Sequence, residues 1–324
     1  MSTHGESLLD QPTYDALTRA IRSCLRAAAR GLADCEKSVD TWDLHAFRVA
    51  IRRLWSLMRA YGPWLGRVAG RKVVHRLEDL TLATNVARDA EVGIHWLLAQ
   101  HDQLARDERA GFNVLLRRLE RRRRRACKSI RRSLGQDFSA TSRLIRHRIR
   151  DTREPELQPF RATILDRLEP AVTKFREQVA EIAGADDEKN IHKSRIRVKR
   201  LRYLVEPLCN DCPEARALVR PLKRMQMLLG DLHDMHLVEE EIVDAIEETA
   251  TAKARRLHRL AVDGPAAALR RERRRDECLG LFVLASRARE RRNRIFAVFE
   301  REWLTDRRFE LGNEARALRA AVGR

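Results

Sequence analysis

The sequence predicts an all-α protein of two tandem bundles of about four helices each, with an internal duplication. Three observations carry this reading. Apolar residues recur at the 3.6-residue helical period along most of the chain, with no strand alternation or regularly spaced turns. Two segments, led by His45 and His192, share one pattern: His, Arg at +3, a base at +7, Arg at +8 and Leu at +9. They lie 147 residues apart, and Asp89 and Asp234 repeat at nearly that offset, 145 residues. The expected layout is an N-terminal tail at 1–12, a first bundle at 13–134, a linker at 135–158, a second bundle at 159–304 and a C-terminal tail at 305–324.

Pro12 opens the first helix, with Ala16, Ala20, Cys24, Ala28 and Leu32 following at helical spacing. Asp40 or Thr41 caps a second helix, which carries the His45 segment and stops near Gly62-Pro63. A third covers about 67–87 through Val73, Leu77, Leu80 and Thr84, runs into Arg88-Asp89-Ala90-Glu91-Val92, and is followed by a short helix to about 101. A long helix over about 103–134 keeps Leu115, Leu119, Ala126 and Ile130 on its packed face. Gly135 to Pro159, with Ser/Thr and Glu-Pro-Glu, reads as linker, part of 140–150 being helical.

The second half repeats the plan. Phe160, Ile164, Leu168, Phe175, Val179 and Ile182 mark a helix bent or frayed near Pro170. Asp186 or Asp187 caps the His192 helix. Beyond Pro207 to Pro213 a helix runs to about Leu229, then comes Gly230-Asp231-Leu232-His233-Asp234, an acidic patch from Glu239 to Glu248, and a less regular stretch to Gly264-Pro265. A basic helix over about 266–303 closes the core, packed through Leu284, Ala288, Ile295 and Phe299; Thr305 to Arg324 reads as a weak helix or tail.

On a helix each residue turns about 100°, so positions 0, +3 and +7 share a stripe. His45, Arg48, Arg52 and Arg59 form one such stripe, and His192, Arg195, Lys199 and Arg202 form another. Phe47, Leu54, Leu57, Met58 and Tyr61, and in the second copy Leu201, Leu204, Val205 and Leu208, take the packed side. Six Lys/Arg fall within residues 193–202, and no Asp or Glu occurs between Lys189 and Val205 or between Leu44 and Leu77. A solvated basic face is the bland alternative, but such faces ordinarily mix in acids as i,i+4 partners. Like charges at this density call for an anion. A second basic helix carries Arg121, Arg125, Lys128 and Arg132, inside a window (117–132) of ten bases and one acid. A third carries Arg287, Arg291, Arg294 and Arg301.

The net charge of +19 favours polyanionic partners: nucleic acid, an anionic membrane surface or polyphosphate. Arginine outweighs lysine, which suits bidentate grip on phosphate oxygens. No apolar run reaches the roughly 20 residues of a membrane helix, and Met1 to Pro12 lacks the apolar core of a signal peptide. The six cysteines are scattered; only Cys209-x-x-Cys212 has a suggestive spacing, without a second pair or a nearby His. A reducing cytoplasm is the expected compartment. No metal or cofactor is expected.

The pattern His-x-x-Arg-x-x-x-Arg/Lys-Arg-Leu occurs twice, each copy followed about 40 residues later by an Asp-bearing element, Asn85-Val86-Ala87-Arg88-Asp89 and Leu229-Gly230-Asp231-Leu232-His233-Asp234. This resembles the CHAD domain, the conserved histidine α-helical domain, over about residues 10–305. The resemblance implies two pseudo-symmetric four-helix bundles around a basic groove that binds inorganic polyphosphate, some members associating with polyphosphate granules and their proteins. It implies that His45, Arg48, Arg52 and Arg53 line one half of the groove, and the stripe adds Arg59 as a further candidate. His192, Arg195, Lys199, Arg200 and Arg202 would line the other, and the basic run adds Lys193 and Arg197 as further candidates. The first copy departs at Ala50 and Trp55, where the second has Arg197 and Arg202, so the second half is expected to hold more of the ligand. The CYTH triphosphatase fused to some members is not carried over, there being no Glu-x-Glu-x-Lys run.

Two rival functions remain at this stage. Sequence-independent nucleic-acid binding fits the charge, but aromatics are 5% of the chain and only Tyr203 borders the 193–202 run, which leaves few stacking platforms. Nucleic acid is therefore expected as a non-specific competitor. A metal-dependent phosphohydrolase of HD type is suggested by His233-Asp234 with His192, yet the first copy has Arg88-Asp89 there, so the Asp repeats and the His does not. No Walker loop or nucleophile elbow is present. The expectation is a binding protein, not an enzyme.

Overall fold

A computed structural model describes residues 7–37, 44–152, 158–305 and 310–323. Among these the chain is all-α, with no strand. The helices are α1 (Thr13–Lys37), α2 (His45–Ala60), the one-turn α3 (Gly62–Leu65), α4 (Arg71–Leu98) and α5 (Arg109–Asp151). Then follow α6 (Phe160–Ala180), α7 (Glu188–Val205), α8 (Pro213–Asp263), α9 (Ala266–Arg274), α10 (Cys278–Phe299) and α11 (Glu310–Gly323), a π-type turn covering Glu300–Thr305.

The helices are longer than their local signals suggest. The stretch expected as linker at 135–158 is helical as far as Asp151. Gly135 sits inside α5, where a glycine costs about 1 kcal/mol relative to alanine. The ladder Leu134, Phe138, Ile145 and Ile149 is buried below it. Each such side chain contributes about 1.5–3 kcal/mol, so burial wins. Thr141 returns its hydroxyl to the Asp137 carbonyl at 2.7 Å, which removes the usual objection to a buried threonine in a helix. Likewise α4 is continuous through 88–92, and α8 is continuous where a break at Leu229 and an irregular 249–265 were expected. The expected single helix at 266–303 is instead split into α9 and α10.

The residues fall into two compact units. They interleave along the chain: one unit is Met1–Asn85, Cys127–Gly230 and Val298–Arg324, the other Val86–Ala126 and Asp231–Ala297.

In the larger unit α1 packs on α2, α6 on α7, α2 against α7, and α11 on α6. The largest fully buried side chains, Trp303, Tyr61, Phe47, Phe160, Phe175 and Phe299, all lie here. Phe47 meets Phe138 edge-on at 5.5 Å, and Tyr61 tilts on Phe160 at 5.6 Å while donating its hydroxyl to the Leu204 carbonyl at 2.7 Å. On α1 the innermost residues are Leu17, Ile21 and Leu25, one position on from the expected Ala16, Ala20 and Cys24. A Cβ on Gly31 would lie 2.6 Å from the Phe47 nitrogen, so the α1–α2 approach needs glycine there. Pro170 sits inside α6. Its cost of about 3 kcal/mol is offset by buried Ile164, Leu168, Phe175 and Val179. The expected C-terminal tail is the helix α11, tied to the core by Leu311, Leu318 and Val322.

In the smaller unit the core is Leu97, Phe112, Leu115, Leu119, Leu232, Val238, Ile242, Leu281 and Leu284. A Cβ on Gly111 would lie 2.5 Å from the Leu281 nitrogen, which again marks a close helix crossing.

Candidate functional site in the larger unit

The two histidine-led segments are α2 and α7, and both packed faces are as expected. Phe47, Leu54, Leu57, Met58 and Tyr61 are buried, as are Leu201, Leu204, Val205 and Leu208. Three further contacts fix α7. Its N-cap is Asp187, whose carboxylate accepts from the Asn190 N–H at 3.2 Å. Ser194 donates its hydroxyl to the Gln178 carbonyl on α6 at 3.0 Å. Ile191 and Val198 are fully buried. The roll of the helix is thereby set, and with it the direction of each cation. The expected cap of α2, Asp40 or Thr41, lies outside the described residues, and Leu44 occupies the N-cap without a side-chain bond.

The expected site residues separate into three sets. His45, Arg48 and Arg52 on α2, and His192, Arg195 and Lys199 on α7, form the two stripes, exposed to half-buried. His192 is held below the ordinary histidine range by partial burial first, then by the Arg195 and Lys199 charges. It therefore sits against the α7 cation stripe. Arg53 and Arg202 form the second set. Both face Glu206, Arg53 at 3.0 Å and Arg202 at 3.8 Å. Glu206 lies one residue beyond the acid-free window that the sequence shows. These two arginines thus have a protein anion already.

Arg59 of α2 and Arg197 and Arg200 of α7 make the third set. They line a pocket of about 250 Å³ with Arg167 and Lys174 of α6, over Leu201 and Leu204. Arg200 is held below the usual arginine range by burial first, then by Arg59 and Arg197, so one charge from α2 and two from α7 converge. The Arg167 guanidinium lies 4.6 Å from the centre of the Trp64 ring, and that of Arg59 4.9 Å from Trp55. Arg167 and Lys174 were not singled out in the sequence. Their signal in the sequence is two bases seven apart on α6, a spacing that places them on one face of that helix. Lys193 is exposed at the start of α7, its Nζ 3.5 Å from the Asn190 side-chain oxygen.

Among the secondary cations, Arg121 and Arg125 in the smaller unit and Lys128 and Arg132 in the larger are all exposed on α5. In the smaller unit Arg287, Arg291 and Arg294 line a cavity of about 720 Å³ that also holds Asp231, Asp234 and Glu290, a mixed-charge lining. Arg287 donates to the Gln103 carbonyl at 2.7 Å, holding the turn that follows α4. The acidic patch of α8 also finds its use in this unit: Glu241 and Asp244 accept from Arg118 at 3.0 and 2.9 Å, Glu248 pairs with Arg118, and Glu241 with Arg122.

Burial raises the Cys209 and Cys212 thiols above the ordinary range and pushes Cys24 up to about 11, which favours the protonated, unreactive form. Among the described residues no three or more His, Cys, Asp or Glu are grouped to hold a metal ion. No described helix is long and apolar enough to cross a membrane.

Comparison with known proteins agrees with this architecture. A family profile described as "CHAD domain" matches residues 19–243. The chain is 28% identical over 252 residues to the uncharacterized proteins MT2285 and Rv2226 of Mycobacterium tuberculosis (strains CDC 1551 / Oshkosh and ATCC 25618 / H37Rv). The match covers 75% of this chain and 48% of each relative, so the chain spans about half the length of those relatives. PptA from Streptomyces chartreusis has a similar fold, with a TM-score of 0.64 at 17% identity over 91% of this chain and 100% of that one. So has the CHAD domain from the plant Ricinus communis, with a TM-score of 0.59 at 19% identity over 87% and 96%. With the profile matching well over half of its length, the chain belongs to the CHAD domain family.

Proposed function

We propose that this chain is a non-catalytic binding protein for inorganic polyphosphate, held by His45, Arg48 and Arg52 of α2 and by His192, Arg195 and Lys199 of α7. The observation that carries the reading is the packing of α2 against α7 in the larger unit, which puts two cation-bearing helices side by side. Polyphosphate presents a repeating line of oxygens and no bases, so a track of forked and point-charge donors is what recognition needs. Family membership supports the same ligand, through the resemblance set out above. The chain's place of action on this reading is the cytoplasm, at polyphosphate granules, with granule proteins as partners. The two histidine-led halves are on this view copies of one ancestral unit.

The test is competition. Labelled long-chain polyphosphate is bound to the protein at about 0.15 M salt, where exposed charges are screened within about 8 Å, and challenged with RNA and duplex DNA. Polyphosphate that resists both, and is lost in the Arg195→Ala/Lys199→Ala variant, supports the reading. Equal displacement by RNA or DNA would make the protein a general polyanion binder.

A further inference from the structure

We infer that a cationic helical hairpin, formed by the last turns of α8 from Lys253 onward and by α9, docks on B-form duplex DNA, with α9 in the major groove between the two phosphate backbones. The hairpin lies beyond residues 19–243, the stretch that the family profile matches. It belongs to the smaller unit, whereas both histidine-led stripes belong to the larger. Residues 253–275 carry nine Lys/Arg and two acids, Asp263 and Glu272.

Local structure sets where those charges point. The chain turns at Gly264-Pro265, where a Cβ on Gly264 would lie 2.8 Å from the Leu260 backbone. Arg256 of α8 reaches across the turn and donates to Glu272 of α9 at 2.7 Å and to Glu277 at 3.2 Å. Glu272 is thereby drawn to the α8 side of α9. At about 100° per residue, Arg270, Arg271, Arg273 and Arg274 fan over an arc of about 160° on the opposite side. All four are exposed, as are Arg255 and Arg259 on α8. The nine residues of α9 include none that is buried. A helix that short is marginal by itself, and its arginines at i,i+3 and i,i+4 repel one another. The helix macrodipole favours cations in the last turn, but not an outward arc cleared of acids. An anionic partner offsets that repulsion.

Chemistry and shape then select the partner. Residues 251–281 contain no aromatic, so the bases of a single strand have nothing to stack on. The outward arc of α9 begins with Ala266 and Ala267 and carries no large apolar side chain, which the core of a protein interface or insertion into a membrane would need. A phosphate backbone asks only for cations. A lone helix is convex and about 10–12 Å across, so a thin flexible polyanion meets one edge of the arc at a time. The major groove of B-form DNA is about 12 Å wide and admits a helix. Arginines at the two edges of the arc then reach phosphates on both strands. The deep, narrow major groove of an RNA duplex does not admit α9. Because the contacts are to phosphate, binding is independent of base sequence.

The test is fluorescence anisotropy with a short labelled DNA duplex, titrated at several salt concentrations with the full chain. The wild type is compared with Arg270→Gln/Arg273→Gln/Arg274→Gln, with Arg270→Lys/Arg273→Lys/Arg274→Lys and with Arg195→Ala/Lys199→Ala. The wild type should bind, and the glutamine variant should lose at least about tenfold in affinity, with a log–log salt slope shallower by about 2–3, roughly 0.9 for each phosphate contact removed. The lysine variant keeps the charges and should keep most of the affinity, which guards against a folding defect. The stripe variant should bind DNA like the wild type, and the glutamine variant should bind long-chain polyphosphate like the wild type, so each reading can fail without the other. No DNA binding by the wild type, or an unchanged affinity and salt slope in the glutamine variant, would overturn the inference. So would an RNA duplex held as tightly as the DNA, or displacement of the DNA by polyglutamate or phosphatidylglycerol vesicles at matched charge.

Discussion

Two arginine-rich regions of this chain look alike in sequence and behave differently in the structure. On α5, in the smaller unit, Arg118 and Arg122 are held by Glu241, Asp244 and Glu248 of α8, more than 110 residues away in the chain. In the larger unit, Arg59, Arg197 and Arg200 line one pocket with Arg167 and Lys174, and no acid is among its described lining residues. An arginine stripe opposite a carboxylate stripe is a structural device, and its charges are already used. A stripe opposite more cations holds electrostatic energy that an anion can release. The distinction cannot be drawn from either helix alone.

The largest expected effect tests that distinction from the ligand side. Arg195→Ala/Lys199→Ala should lower long-chain polyphosphate affinity by at least about a hundredfold, since two charge-assisted hydrogen bonds contribute about 1.5–3 kcal/mol each. Its thermal midpoint should stay near the wild-type value. Unchanged affinity in a filter-binding titration would remove α7 from the binding track.

From the structural side, Glu241→Gln should cost about 2 kcal/mol of stability. The Glu241 side chain is 10% exposed and Arg118 19%, so removing the carboxylate strands partly buried guanidinium groups. Polyphosphate affinity should hold. Denaturant unfolding checks the first part, and a drop in affinity without a drop in stability would place α5 in the site.

A smaller effect concerns the arginines that Glu206 holds. Glu206→Gln frees Arg53 and Arg202, and polyphosphate should then bind a few-fold more tightly, with a steeper fall of affinity with salt. Unaltered affinity and salt slope would show that these two arginines lie out of the ligand's reach.

The smallest effect is the pH dependence. His192 has a folded-state value below 6.5, so without ligand it stays neutral at neutral pH, and its protonation opposes folding as pH falls below about 6.5. A bound polyanion favours the imidazolium and raises that value. Polyphosphate affinity should therefore rise as pH falls from 8 towards 6, and His192→Gln should flatten the profile. A flat wild-type profile would remove this histidine from contact with the ligand.

Much of this was legible in the chain. The helical class, the two histidine-led helices and their packed faces follow from periodicity, because a side chain's direction on a helix depends only on its position. Asp187 as the cap of α7 was one of two candidates for the same local reason. Breaks were the weak point. Gly135 and Gly230 each carry a local stop signal, and each lies within a continuous helix. The stop signal is worth about 1 kcal/mol, and buried residues such as Phe138 outweigh it, but only through partners such as Phe47, 91 residues earlier.

By itself, then, the sequence determined that the chain is helical, that α2 and α7 are amphipathic, and which of their residues are cationic. Those are consequences of local spacing and composition. Which cations meet an acid and which meet each other was decided by the tertiary structure. Glu206 reaches Arg53 across 153 positions, and Arg167 and Lys174 come to Arg59 across more than 100, because packing of the apolar faces sets what stands opposite each charge. Coulomb energy depends on distance in space and on burial, and neither is a property of position along the chain.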